Sequence, residues 1–131
     1  MKVSVNEKTK KFYLAYAKWE EAIGHEITVG KYKFSAVSTK GGIIFSEVSS
    51  GTHILTLPMT QYVYVRTATK ELTLEYLKEA GEGVRRLIKD VPNLDKQIEK
   101  TKLESFKRCG PMPDIKYYDS DWIFHETKVF H

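Results

Sequence analysis

The sequence predicts an α+β fold in which an antiparallel meander of four to five strands is followed by two helices. Between residues 26 and 65, short apolar segments alternate with polar residues and are separated by glycine-containing turns. Between residues 70 and 109, apolar residues instead recur every three or four positions. The chain has 131 residues, of which 41% are hydrophobic and 29% charged. We therefore expect residues 1–131 to form a single domain.

The segment 12–23 is ambiguous. Its apolar residues fall at offsets 0, 3, 4, 7, 10 and 11, which is one stripe of a helix, and Gly24 stands where a C-terminal glycine cap belongs. The segment also shows strand-like alternation, at Phe12, Leu14 and Tyr16. These residues could pair with 1–5 across the polar turn 6–11. Because the helical pattern is longer, we favour an N-terminal helix.

The strand signals are strongest from residue 26 onward. The expected turns are Gly30-Lys31, Lys40-Gly41-Gly42 and Ser49-Ser50-Gly51. The strands that they separate are 27–29, 32–36, 43–48 and 53–57, with 62–65 as a candidate fifth. Pro58 should end the fourth strand, since proline has no N–H for the ladder.

Two helices and an aromatic tail should complete the chain. The first helix follows Arg66, with Thr69 or Thr73 as its cap, and it contains Gly81 and Gly83. Two glycines within a helix indicate a kink, a break or the close approach of another backbone. The second helix should run from the cap Asn93 to Gly110, with Leu94, Ile98 and Phe106 directed inward. The tail, residues 111–131, is rich in aromatic residues, so we expect it to dock on the domain or on a second subunit.

Composition argues against several classes of protein. No apolar run approaches the ~20 residues that span a bilayer, and residues 1–11 are too polar for a secretory signal. A lone cysteine, Cys109, fits a reducing compartment, so we expect a cytoplasmic protein without membrane contact. None of the four histidines has another histidine or a cysteine three or four residues away, as a metal site on a helix would need. The run Ser49–His53 is typical of a turn rather than of a catalytic nucleophile. We therefore expect no metal, no cofactor and no enzymatic activity.

Anion binding is the one local chemistry that the sequence favours. All four arginines lie in the second half of the chain, whereas residues 1–58 contain eight lysines and no arginine. Arg66 leads through Thr67 and Thr69 into a helix N-terminus, where free amides, hydroxyls and a guanidinium could hold an anionic group. An ordinary helix cap is the competing interpretation of the same residues.

Nucleic-acid binding is a further, less favoured alternative. Basic and aromatic residues interleave at Lys31–Phe34 and at Phe106–Arg108, which suits stacking on single strands. The net charge of +4 is modest, however, and 17 acidic residues are spread along the chain.

The strands of residues 26–59, the segment Tyr62–Thr69 and the helices carrying Gly83–Arg86 and Phe106–Arg108 resemble a known family. In size, β-then-α order and arginine placement, residues 26–110 are similar to the phage-encoded anti-Thoeris proteins of the first type. The resemblance implies a non-enzymatic, homo-oligomeric protein that sequesters a cyclic-ADP-ribose-type nucleotide in pockets between subunits.

The candidate ligand-binding residues combine ring faces for a purine with groups for a pyrophosphate. They are Tyr64, Phe106, Arg66, Thr67, Thr69, Arg85, Arg86 and Arg108, with Tyr62 as a further stacking candidate. Arg85 and Arg86 point about 100° apart on a helix, so at most one of them should contact the ligand. An alternative is a module that inhibits a partner protein, for which the aromatic tail would supply the contact.

Overall fold

The computed structural model describes residues 1–117. Six strands form one antiparallel sheet in the order β5-β4-β3-β2-β1-β6, and three helices follow the fifth strand. The elements are β1 Val3–Ala15, β2 Trp19–Val29, β3 Tyr32–Ser38, β4 Gly42–Glu47, β5 Thr52–Pro58, α1 Gln61–Arg66, α2 Lys70–Lys89, α3 Leu94–Cys109 and β6 Lys116–Tyr117. This confirms the predicted α+β fold, with a five-stranded meander followed by helices. No helix within residues 1–117 has the length and apolarity that crossing a membrane requires.

The predicted N-terminal helix is wrong, because segment 12–23 belongs to a long β-hairpin. Residue 12 pairs with residue 22, and residue 15 pairs with residue 19. Apolar residues that face one another across a tight hairpin can thus have sequence separations that also fit a helical stripe. The alternative pairing of 1–5 with 12–16 is wrong as well, since residues 3–5 and 12–15 lie in the same strand, β1. Within β1, Phe12 and Leu14 are buried, as their alternation indicates.

The β1–β2 hairpin bends at its middle, where a bulge interrupts its register. The β1–β2 register shifts between Val5 and Thr9, which places extra β1 residues opposite Glu26. Gly24, expected as a helix cap, lies at this bend. A Cβ there would stand 2.2 Å from the carbonyl oxygen of Ala36, so only glycine fits without a backbone shift.

Beyond the bend, the distal half of the hairpin extends toward β4 and β5. Its end reaches the β4–β5 turn, where the Ala15 amide donates to the Gly51 carbonyl at 2.9 Å. Lys10 of this half forms an ion pair with Glu26 at 3.3 Å. Glu26 lies opposite Ser35 across β2–β3, and Ser35 lies opposite Ser46 across β3–β4, so one face of the sheet carries a buried polar row.

The main apolar core lies between the other face of the sheet and α2. It contains Val3, Ile27, Val29, Phe34, Ala36, Ile43, Phe45, Val63, Leu77 and Val84. Helix α2 is continuous through both glycines, and of the two predicted cap residues Thr69 is its N-cap. At Gly81 a Cβ would lie 2.7 Å from Val3 Cγ1 and 3.0 Å from Ile27 Cγ2. Gly81 therefore permits close packing of α2 on β1 and β2, against side chains rather than against another backbone.

Residues 62–65, predicted as a candidate fifth strand, form most of helix α1 instead. The Thr60 side chain accepts a hydrogen bond from the Val63 amide and so caps this helix. Only Val63 is buried, because it packs into the core. The alternation of tyrosine and valine favours a strand by propensity, but the local cap and the burial of Val63 override it.

Helix α3 agrees with the prediction in its bounds and differs in its contacts. Asn93 precedes it in a left-handed conformation (φ 55°), and its side chain forms no capping bond. Gly110 ends it, donating to the Phe106 carbonyl. Phe106, expected to point inward, is 56% exposed, whereas Ser105 is buried.

The C-terminal tail is only partly described. Its residues Lys116 and Tyr117 pair with Lys11 and Lys10 of β1, so this part of the predicted docked tail does contact the sheet. The remaining tail aromatics, Tyr118, Trp122, Phe124 and Phe130, lie outside the described residues.

Candidate binding surface

The junction of α1 and α2 contains one group of the predicted ligand-binding residues. Helix α1 ends at Arg66, and α2 begins after the cap Thr69, so only a short turn separates the two helices. The predicted residues that lie here are Tyr64, Arg66, Thr67 and Thr69, together with Tyr62. Their proximity follows from sequence adjacency, but their orientation is set by α2.

Arg66 is hydrogen-bonded to two side chains of the same chain. Its Nη1 and Nη2 donate to Glu79 Oε2 and Oε1 at 3.1 and 2.9 Å, and Nη1 also donates to the Tyr62 hydroxyl at 2.7 Å. The guanidinium lies 5.6 Å from the centre of the Tyr62 ring and 5.2 Å from that of Tyr76. Hydrogen bonds from Arg66 hold the pKa of Glu79 below its usual value, and those to Glu79 and Tyr62 raise the pKa of Arg66. The side chain that was expected to meet an anion therefore already binds a carboxylate.

The two threonine hydroxyls are engaged as well. Thr67 Oγ1 donates to the Val63 carbonyl at 2.8 Å at the end of α1. Thr69 Oγ1 accepts from the Leu72 amide at 3.2 Å at the start of α2. Of the two interpretations that the sequence left open here, these bonds match the ordinary helix cap.

Three large side chains of α1 remain exposed: Tyr62 by 62%, Tyr64 by 70% and Val65 by 57%. At about 100° per residue, Tyr62 and Tyr64 lie to either side of the buried Val63, and Val65 points almost directly away from it. The three side chains thus cover the outward half of a short helix. We call Tyr62, Tyr64 and Val65 the aromatic corner.

The remaining predicted arginines lie elsewhere. Arg85 Nε donates to Glu82 one turn away at 2.8 Å, and Arg86 is exposed. Arg108 donates to the carbonyl oxygens of Tyr16 and Ala15 at 2.6 and 3.1 Å, and thereby ties the end of α3 to the β1–β2 turn. Within residues 1–117, the four guanidinium groups do not converge on one cleft.

Two clefts in the described part of the chain lie around the start of α3. One, of about 300 Å³, lies between α3 and the turns at Lys31 and Ser49, and a second, of about 420 Å³, lies beside residues 88–94. Both are lined by Tyr32 and Asp95. None of the predicted ligand-binding residues lines either cleft.

The polar groups between these two clefts are paired with one another. Lys31 Nζ donates to Asp95 Oδ2 at 2.6 Å, and the Tyr32 hydroxyl donates to Oδ1 at 2.7 Å. These two bonds lower the pKa of Asp95, and the hydrogen bond to Asp95 raises the pKa of Tyr32. Sequence reasoning missed this cluster, because no local pattern links Asp95 to a turn more than sixty residues earlier.

The hydroxyl-rich stretch before β5 stabilises the turn between β4 and β5. The Glu47 carboxylate accepts hydrogen bonds from the amides of Ser49 and Ser50 and from the Ser49 hydroxyl. His53 is hydrogen-bonded with Thr56 Oγ1 at 2.8 Å and not with a serine. In the part of the chain that the structure describes, no three histidine, cysteine or carboxylate side chains are grouped as a metal ion would need.

Comparison with known proteins assigns no family to this arrangement: no protein-family model matches the chain, and neither a curated protein nor a solved structure matches it significantly.

Proposed function

We propose that this chain is a non-enzymatic binding protein whose partner is another protein, docked on the aromatic corner. The observation that carries the proposal is the exposure of Tyr62, Tyr64 and Val65 on a single short helix. Tyrosine and arginine are enriched at the energetic centres of protein interfaces, where their rings enter apolar pockets of the partner.

The corner is also held in place before any partner arrives. Arg66 binds the Tyr62 hydroxyl and contacts the Tyr62 ring, and Glu79 fixes Arg66 against α2. Tyr62 and Tyr76 pack edge to face, with ring centres 6.4 Å apart. A side chain that is already ordered loses less conformational entropy when it binds, so this clamp favours affinity.

The nucleotide-sequestering role implied by the family resemblance remains a prediction. Within one chain, Arg66 and Arg85 are paired with glutamates and Arg108 with backbone carbonyls. A pyrophosphate site built from these residues would need them to exchange partners, or to be joined by groups from further copies of the chain.

A matched pair of variants tests the docking proposal. In the first, Tyr64→Ser and Val65→Ser remove two exposed side chains of the corner; in the control, Tyr16→Ser and Leu87→Ser remove exposed side chains of the β1–β2 turn and α2. We expect both variants to fold, and cross-linking in extracts of the native cell to capture a partner with the wild type and the control only. With the purified partner, the corner variant should bind roughly 30-fold more weakly or worse, as expected for hot-spot residues. Equal affinity of the two variants would refute this use of the corner.

A further inference from the structure

Helix α3 presents a second exposed surface, of different chemistry. The side chains of α3 that turn toward the rest of the protein are at least partly buried, and Ser105 is the most deeply buried of them. At about 100° per residue, the direction opposite Ser105 is occupied by three lysines and one leucine, which lie within about 60° of one another. They are Lys96, Lys100, Leu103 and Lys107.

The three lysines, Lys96, Lys100 and Lys107, form what we call the lysine row. They are exposed, and none lies within ion-pair distance of a carboxylate in residues 1–117. At a rise of 1.5 Å per residue, the row extends over about 17 Å. The nearest acidic residues of α3, Glu99 and Glu104, lie about 80° and 60° from the centre of the row on opposite sides, so only lysines occupy the centre itself, with Leu103 at its edge.

Two large apolar side chains accompany the lysine row. Leu103 is 61% exposed and lies at the edge of the row, and Phe106 is 56% exposed and lies about 100° around the helix from the centre of the row. An amphipathic helix that inserts into a membrane surface needs an apolar face along much of its length, and two side chains do not provide one. An exposed ring on the same helix as unpaired cations suits a polyanion that can wrap around the helix and stack its own rings on it.

We infer that the outward face of α3 binds single-stranded nucleic acid, with the lysine row on successive phosphates and the Phe106 ring stacked on a base. Single strands fit better than duplexes because their bases are free to stack, while α3 offers no arginine fork directed at base edges: Arg108 is bound to backbone carbonyls. This surface is separate from the aromatic corner, so the inference does not depend on the proposed protein partner.

The test compares two charge-matched triple variants of the full-length protein. The row variant carries Lys96→Gln, Lys100→Gln and Lys107→Gln. The control carries Lys70→Gln, Lys78→Gln and Lys89→Gln, three exposed lysines of α2. Both variants lose the same charge, and exposed substitutions of this kind change stability little, which circular dichroism and urea unfolding verify.

The probe is a fluorescein-labelled oligodeoxythymidine of about 15 nucleotides, followed by fluorescence anisotropy. Three phosphate contacts predict that the logarithm of the association constant falls with that of the salt concentration with a slope of about −2, or roughly 20-fold between 50 and 200 mM salt. The row variant should lose this binding, and the control should keep most of it. Phe106→Ala should weaken binding roughly 10-fold, because the ring no longer stacks on a base. If the lysine charges alone bound the strand, this uncharged substitution would leave the affinity unchanged.

Each other outcome overturns the inference. These outcomes are the absence of wild-type binding, equal losses in the row and control variants, and tighter binding to a duplex of the same length. Binding to vesicles with anionic lipids in the absence of oligonucleotide binding would assign the lysine row to a membrane surface instead.

Discussion

Replacing each glycine of α2 by alanine should have opposite effects on stability. In the interior of a helix, alanine is favoured over glycine by about 1 kcal/mol. At Gly81 the added Cβ would stand 2.7 Å from Val3 Cγ1 and 3.0 Å from Ile27 Cγ2, whereas carbon atoms pack at about 3.5–4.0 Å. Both neighbours are buried, β-branched and therefore stiff, so overpacking should cost about 1–3 kcal/mol. We expect Gly81→Ala to be net destabilising by roughly 1 kcal/mol.

Gly83 is the matched control. The nearest atom that its Cβ would meet is Arg86 Nη2 at 3.9 Å, which is an ordinary contact with the end of a flexible side chain. Gly83→Ala should therefore stabilise the protein by about 0.5–1 kcal/mol. Urea unfolding with an unchanged m-value should place the two variants' midpoints roughly 1 M apart, on either side of wild type. Equal stabilisation by both substitutions would show that α2 does not pack on β1 and β2 as described.

Three further predictions concern the hairpin and the aromatic corner. Gly24→Ala should destabilise the protein by more than about 2 kcal/mol in urea unfolding, because its Cβ would meet a carbonyl oxygen at 2.2 Å; a change below about 0.5 kcal/mol would contradict the bend. Lys10→Met should destabilise the protein by about 2–4 kcal/mol, since the buried Glu26 carboxylate loses its ammonium partner. Adding Glu26→Gln to this variant should restore much of the lost stability in thermal unfolding, and no recovery would refute the pairing. The pKa of Glu79, followed by carbon NMR, should lie below its usual value and return to it in Arg66→Gln. Because this pKa is lowered in the folded state, its contribution to stability is present above the unfolded-state pKa and is lost as the pH falls through the folded-state pKa. An unchanged Glu79 titration in Arg66→Gln would contradict the clamp.

The strands from residue 27 to 57 could be predicted because each is bounded by local turn chemistry. Gly30 and Gly51 have positive φ angles of 61° and 65°, which a glycine signal anticipates. The N-terminal hairpin could not be predicted in this way, since Phe12 and Ala22 have a separation that fits both a helix and an antiparallel pair. Pairing decides between them, and pairing is not a local property.

At the candidate surface, too, the local signals could be predicted from the sequence and the tertiary contacts could not. Sequence adjacency places Tyr64, Arg66 and Thr69 together, and the cap at Thr69 is a local signal that proved correct. The partner of Arg66 is Glu79, which lies about two and a half turns into α2. Only the packing of α1 on α2 brings the two side chains together. Arginine placement alone therefore cannot distinguish a guanidinium free for a ligand from one already bound to a carboxylate.

The bent hairpin has a consequence for the order of folding. The turns joining β2 to β5 connect strands that are neighbours in sequence, so this part of the sheet can assemble through short loop closures. The contact between Ala15 and Gly51 instead requires the chain from β2 to β4 to be in place first. The distal hairpin should thus form late in folding. In native-state hydrogen exchange, its amides should exchange through local opening, at a lower free energy than the amides of β3 and β4.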